Sequence, residues 1–188
     1  MMARLFIISG PSGSGKNTLI RSAIEQFPDL LYSVSVTTRT PRPGEKDGQD
    51  YFFRTPENFR KMIAMGELAE YQEVYSGTFY GTPREFITSN IRNNKSVILD
   101  IDVYGCMRLI KAFPDAVTIF IDVPSEDVLK ERLLKRRSEN QAGLEERLRK
   151  AGEEVEFSKG RYCYRIVNNN LEEACRELTD IIRKESRE

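Results

Sequence analysis

The sequence predicts an α/β fold, a parallel sheet with helices on its faces. Short β-branched runs alternate along the chain with longer amphipathic ones, the pattern of strand–helix–strand crossovers. The first apolar run ends abruptly in a glycine-rich passage that opens a helical pattern. One stretch, 38–82, breaks the alternation with two clusters of Pro, Gly and charge, and so reads as an insertion of mixed α/β character.

The elements follow in order. Leu5, Phe6, Ile7 and Ile8 form a buried strand over 5–9, stopped by Gly10. Leu19, Ile20, Ala23, Ile24 and Phe27 recur at helical spacing and predict a helix over 16–26. A strand follows over 32–37. The insertion carries a short strand at 51–53, a helix opening at Pro56 and a strand near 68–74. The core then resumes with helix 83–93, strand 96–101, helix 103–112 and strand 117–123. Ser125 followed by Glu126 and Asp127 marks a helix start, with acids in the first turn, and predicts helix 125–136. The polar stretch 137–143 reads as a closing loop. Helix 144–157, strand 165–167 and helix 171–185 complete the chain. The organisation expected is one domain over 1–188, with a core of 1–37, 83–136 and 144–188, an insertion of 38–82 and a lid of 137–143.

With 188 residues there is enough chain for one sizeable core. Lys plus Arg and Asp plus Glu are both 29, so no global basic field draws the chain to nucleic acid, and charge must act locally. Histidine is absent, which removes the commonest general base and the commonest zinc ligand. Cys106, Cys163 and Cys175 are odd in number and widely spaced, the pattern of reduced thiols and not of a disulfide framework. No run approaches the roughly 20 apolar residues of a membrane span, and no long apolar segment precedes Gly10. The expectation is a cytoplasmic protein without a secretory leader.

Gly10-Pro11-Ser12-Gly13-Ser14-Gly15-Lys16-Asn17-Thr18 is a glycine-rich loop with a lysine at its end. Standing between a buried strand and a helix, it reads as a phosphate cradle: glycines admit close approach, backbone N–H groups surround an anion, and the lysine reaches the outer phosphates. The sheet is accordingly expected to be of the P-loop NTPase type. Gly10, Gly15 and Lys16 fit the Walker A spacing. Asn17 departs from it, standing where a Ser or Thr hydroxyl normally meets magnesium. Thr18 is a remaining hydroxyl of the loop but not an equivalent ligand.

Further on, Ser35-Val36-Thr37-Thr38-Arg39-Thr40-Pro41-Arg42 places two guanidinium forks in a proline-stiffened turn, suited to phosphate oxygens. Taken alone, that segment is equally a solvated basic turn. Asp50-Tyr51-Phe52, Glu67–Tyr71 and Tyr80-Gly81-Thr82 add phenols and acids in order. Ile98-Leu99-Asp100-Ile101-Asp102 ends a buried strand in an acid, as a Walker B element does. Arg132-Leu133, Arg147-Leu148 and Ile166-Val167-Asn168 follow. Carrying all of these, the chain closely resembles guanylate kinase over essentially its whole length.

The resemblance implies transfer of a phosphoryl group from ATP to GMP, and to dGMP, with magnesium, in purine nucleotide metabolism. By matching position, Gly10 to Thr18 would hold the ATP phosphates, and Asn168 would border the adenine. Arg39, Arg42, Tyr51 and Tyr80 would hold the GMP phosphate, while Ser35, Glu70 and Thr82 meet the guanine. Asp102 would orient GMP. Arg132, Arg136 and Arg147 would be lid arginines that, with Lys16 and Arg39, act on the transferring group. Asp100, through water, and Asn17, directly or through water, would serve the metal.

The residues agree with this independently. Guanine presents N1–H and an exocyclic amine side by side, and one carboxylate accepts both. Other readings stay open residue by residue: Asp100 or Asp102 as a cap of the helix near Val103, and the arginines beside the lid as a solvated helical face. Two alternatives stay open for the whole chain, a catalytically silent binding module and a sister kinase acting on a sugar phosphate. A further expectation is that activity persists with weaker magnesium coordination at Asn17.

Overall fold

The computed structural model describes residues 3–75, 77–135 and 141–187. Five parallel strands form the central sheet: β1 (Leu5–Ser9), β2 (Leu31–Tyr32), β7 (Val97–Asp100), β8 (Val117–Asp122) and β9 (Tyr164–Val167), in the order β2-β7-β1-β8-β9. Because side chains alternate along a strand, β1 feeds two cores at once. Phe6 and Ile8 point to one face, where Leu19, Ile20 and Ala23 of α1 (Lys16–Gln26) meet Leu178 and Ile182 of α7 (Leu171–Glu185). Leu5 and Ile7 point to the other, against Ile87 of α3 (Arg84–Arg92) and Cys106 and Leu109 of α4 (Val103–Ala112). All five residues of β1 are buried, which explains why its sequence reads as a continuous apolar run.

A second sheet of four strands is built on the insertion: β3 (Val36–Thr37), β4 (Phe52–Phe53), β5 (Leu68–Tyr75) and β6 (Thr78–Pro83), in the order β4-β3-β6-β5. It packs on α2 (Pro56–Ala64) through Val36, Phe59 and Leu68, with Phe52, Met62, Ile63 and Phe79 around them. Thr55 caps α2, its hydroxyl accepting from Asn58 N at 3.2 Å, and Pro56 occupies the first turn, as its fixed φ favours. Helices α5 (Glu126–Lys135) and α6 (Gln141–Ser158) pair through Leu129, Leu133, Leu144, Leu148 and Ala151.

Three sequence expectations need correction. The single strand of 32–37 is two strands in different sheets: β2 pairs with β7 at the sheet edge, and the chain then leaves through Ser33, whose N–H still reaches Ile98 O, to join the second sheet as β3. Val36 and Thr37, read as core, thus belong to the insertion's sheet. β6 was not expected as a strand, because Gly77, Gly81 and Pro83 give the segment the composition of a turn; it is held by pairing with both β3 and β5. Helix α6 begins at Gln141, so 141–143 is helical and not part of a loop. The rest of the expected lid, 137–140, and Arg136 lie outside the described residues.

Phe59 is 1% exposed and anchors the second sheet on α2, in ring contact with Phe79 at 5.6 Å. Phe59→Ala is expected to lower stability by about 3–5 kcal/mol, read as a fall in the urea midpoint of unfolding.

Candidate active site

The parallel strands aim their C-terminal ends at one cleft, where open α/β sheets place their ligands. β1 delivers the glycine loop. Gly10 has φ +147, and a Cβ there would sit 2.1 Å from Ile121 O of β8. Gly15 has φ +94, and its Cβ would sit 2.4 Å from Asn168 Nδ2. The loop is therefore wedged against neighbouring backbone and side chains that only glycine can approach so closely. Ser14 N donates to Pro11 O at 3.1 Å, and buried Asn168 donates through Nδ2 to Ser14 O at 2.7 Å. Lys16 Nζ donates to Gly10 O at 2.6 Å and lies 4.0 Å from Asp100 Oδ1 at the end of β7.

The cleft has two lobes of about 380 Å³ each. The first joins Gly10, Ser12, Gly13, Gly15, Lys16 and Thr18 to Glu70, Gln72, Asp102 and Glu154. The second is lined by Arg39, Arg42, Glu45, Gln49 and Asp50. Asn17, Ser35, Tyr51, Tyr80 and Asp100 face both lobes, so they form the passage between them.

Glu70 is a buried acid on β5, and Thr82 of β6 donates to its Oε1 at 2.9 Å. Burial pushes its carboxyl up to about 7, against the pull of the Thr82 hydroxyl and the Arg108 guanidinium, which work to keep it ionised. Asp100 is likewise raised, by burial first, with Lys16 opposing. Burial raises Tyr51 to about 12, with the charge of Asp100 adding to it, so its phenol is a neutral donor. The Tyr51 and Tyr80 rings meet edge to face at 5.9 Å.

Arg39 is held in a frame. Nη2 donates to Glu45 Oε1 at 2.8 Å, Nη1 donates to Thr40 O at 2.8 Å, and the guanidinium lies 5.3 Å from the Tyr51 ring centroid. Glu45 also accepts from Arg42 N at 2.7 Å. The Arg39 hydrogen bond and then the Arg42 amide hold the Glu45 carboxyl below its ordinary range.

Other expected residues stand in narrower roles. Asp102 caps α4, its Oδ1 accepting from Tyr104 N at 2.8 Å and Gly105 N at 2.9 Å, while still lining the cleft. Asn168 spends its amide on the glycine loop. Arg132 donates to Asn168 O at 2.8 Å, and Arg147 donates to the Ser12 hydroxyl on the loop itself.

Four residues at the site escape the sequence reading. Gln72 lines the cleft two residues after Glu70, on the same strand face, so period-two spacing would have found it. Arg108, on α4, donates to Gln72 Oε1 at 2.8 Å and lies 3.4 Å from Glu70 Oε2; nothing local in the sequence marks it. Glu45 follows Arg42 by three residues, a charge complement within one turn. Glu154 lies two helical turns from Arg147 on α6, a second buried acid raised to about 7 by desolvation, with Lys16 and then Lys150 opposing.

A strand–glycine loop–helix unit, with its lysine near an acid at the end of the adjoining parallel strand, defines the P-loop kinase class. Comparison with known proteins narrows it. The guanylate kinase family model matches residues 2–185. A guanylate kinase of Synechococcus sp. (strain JA-3-3Ab) is 41% identical over 179 residues, 95% of this chain and 82% of that protein. One of Thermotoga maritima is 42% identical over 185 residues, 98% of this chain and 88% of that one. The crystal structure of guanylate kinase from Anaplasma phagocytophilum superposes with a TM-score of 0.79 at 33% identity, covering 100% of this chain and 88% of that one. The chain belongs to the guanylate kinase family, whose members are nucleoside monophosphate kinases.

Gly15→Ala combines left-handed backbone with a clash on Asn168. It is expected to cost about 1–3 kcal/mol of stability, measured as a lowered thermal midpoint, and to weaken nucleotide binding in a calorimetric titration.

Proposed function

We propose that this chain phosphorylates GMP, and dGMP, with ATP. The observation that carries this reading is Glu70, a buried carboxylate with Thr82 on one oxygen, in the same cleft as the glycine loop. A buried acid with two acceptor oxygens needs a partner presenting two adjacent donors, and guanine has them in N1–H and its amine. Adenine lacks that pair and would leave the acid unsatisfied, a mismatch worth about 10⁴-fold in discrimination. Ser35, in the passage between the lobes, is the donor assigned to the base carbonyl. Arg39, Arg42, Tyr51 and Tyr80 are assigned to the monophosphate, and the insertion of 38–82 to GMP as a whole, its base toward Glu70 in the first lobe and its phosphate toward the second.

Gly10, Pro11, Ser12, Gly13, Ser14, Gly15, Lys16, Asn17 and Thr18 are assigned to the ATP phosphates. Backbone amides of the loop would take the β- and γ-oxygens, with Lys16 exchanging Gly10 O for them. Asn168 then acts by shaping the loop through Ser14 O, and any adenine contact falls to its backbone. Asp102 is assigned to the GMP side through its place on α4.

The transfer is in line. A GMP phosphate oxygen, anionic near neutral pH, attacks the γ-phosphorus while the bond to the ADP oxygen breaks, and no side chain need remove a proton. Catalysis is positioning and charge stabilisation, which suits a chain with no histidine. Lys16, Arg39, Arg132, Arg136 and Arg147 would neutralise the transferring charge. An arginine so aimed contributes about 10³-fold or more. Arg147 holds Ser12 of the glycine loop and Arg132 holds Asn168 beside it, so an approach of α5 and α6 to a bound nucleotide would bring both onto its phosphates and exclude water.

Magnesium is the metal assigned. Among the described residues no three His, Cys, Asp or Glu side chains form a metal cage. Of the hard oxygens lining the cleft, the Asn17 amide and the Asp100 carboxylate are the two assigned to it. That sparse set fits a cation carried mainly by water and phosphate oxygens. Asn17 would hold it directly or through water, Asp100 through water. Held there, such an ion would supply charge neutralisation to the phosphates during transfer.

A cytoplasmic setting in purine nucleotide metabolism, returning GMP to the diphosphate pool, goes with this reading. The free thiols of Cys106, Cys163 and Cys175 support it.

A coupled assay of ADP release should show turnover with GMP and dGMP, and a much lower kcat/KM with AMP, the gap widening as pH rises above about 7 and Glu70 ionises. No turnover with GMP would favour a silent binding module, and turnover only with a non-purine acceptor would favour a sugar-phosphate kinase. Asn17→Ser should lower the magnesium concentration needed for half-maximal rate. An unchanged magnesium dependence and turnover would remove Asn17 from the metal site.

A further inference from the structure

Resting on the guanine reading of Glu70, the geometry points to Arg108 as the positioning residue that sets base choice, by keeping the acid that reads the base in its anionic form. Helix α4 lies tight against β5 at this place. A Cβ on Gly105 would come within 3.1 Å of Glu70 Oε2, so the helix backbone covers that side of the carboxylate. One turn later Arg108 brings Nη2 to 3.4 Å from the same oxygen. The guanidinium is anchored there by Gln72, whose Oε1 accepts from Nη2 at 2.8 Å. The two oxygens of Glu70 thus have different partners: a hydroxyl of β6 on Oε1, and a cation of α4 near Oε2.

The charged and titratable groups facing Glu70 are few. Arg108 of α4 favours the anion, and Asp102 at the head of the same helix opposes it. From the sheet, Thr82 of β6 donates to the acid and Gln72 of β5 holds the cation. Burial drives the carboxyl up to about 7 even with Arg108 in place, so neutral pH falls where one proton decides its state.

That proton changes what the acid reads. Ionised, Glu70 offers two acceptors, the complement of guanine N1–H and N2–H. Protonated, it offers one donor and one acceptor, the complement of adenine N1 and N6–H. A site that loses Arg108 does not merely bind more weakly; it shifts from the guanine pattern toward the adenine pattern. Arg108 touches neither reacting atom, so its effect belongs in substrate affinity and in the pH profile.

The test measures kcat and KM for GMP and for AMP, from about pH 6 to 9, in the wild-type chain, Arg108→Met and Arg108→Lys. Arg108 is 39% exposed on its side chain, and solvent moderates its field. Its loss should therefore raise the Glu70 midpoint by about one unit, the low end for a close cation. From a midpoint near 7, kcat/KM for GMP at pH 7 should then fall about fivefold, and the GMP-to-AMP preference about tenfold. At about pH 9 the variant should return to within twofold of wild type, and Arg108→Lys should restore most of the profile. Taking the ratio of variant to wild type cancels the ionisation of the nucleotide's own phosphate. A carbon-13 titration of the Glu70 carboxyl in the nucleotide-free protein should show the same upward shift.

A ratio flat across pH, with an unmoved carboxyl midpoint in a folded variant, overturns the role of Arg108 and leaves the guanine reading standing. Absence of GMP turnover by the wild-type chain is instead a failure of that reading, and this inference falls with it.

Discussion

The rest of the site depends on the shape of the turn between β1 and α1. Three separate parts of the core press on it: Ile121 O of β8 against Gly10, Leu129 and Leu133 of α5 against Gly13, and Asn168 at the end of β9 against Gly15. Its inward carbonyls are satisfied within the protein. Gly10 O takes Lys16, Pro11 O takes Ser14 N, and Ser14 O takes Asn168. The loop is thus shaped by the elements around it, and a change at Asn168 reaches it through Ser14 O and Gly15.

The same cleft carries a cost. Glu70 and Glu154 are both raised by burial from an ordinary 4.5 to about 7. A carboxyl raised in the folded state favours folding when protonated. Its contribution is complete below about 4.5 and is lost as pH rises through about 7. At neutral pH the protein therefore keeps two acids in places that folding alone would not choose. Such groups persist where a ligand uses them. On the proposed reading, fewer than two donors for Glu70 from the ligand would leave part of that desolvation uncompensated, and selectivity for the base would follow from it.

How much of this was legible in the sequence follows from the range of each interaction. β1, the glycine loop and α1 were readable because one continuous stretch carries strand, turn and helix signals together. Helices α4 and α7 kept their expected bounds, since their periodicity is local. β6 was not readable, because its strand state comes from β3 and β5 and not from its own glycines and proline. Nor was the break between β2 and β3, where the chain leaves β7 after two paired residues to join β4 and β6. In the site, residues within a motif were found, and those that act across elements were not. Arg108 is 38 residues from Glu70, and no spacing rule joins them.

Glu45 shows why an arginine cluster can wait for its anion without collapsing. An unpaired guanidinium beside Tyr51 and Tyr80 would seek any acid in the cleft, and Asp100 lies in the same lobe. Glu45 takes one edge of the Arg39 fork and the Arg42 amide together, while Thr40 O takes the other nitrogen. The fork is therefore aimed before an anion arrives, and less side-chain entropy remains to be lost on binding. A phosphate dianion carries more charge and more acceptor oxygens than a carboxylate, so it can share or displace Glu45, whereas a neutral ligand cannot. On the proposed reading, the lobe that holds Arg39 and Arg42 would select for charge by the same arrangement that keeps it open.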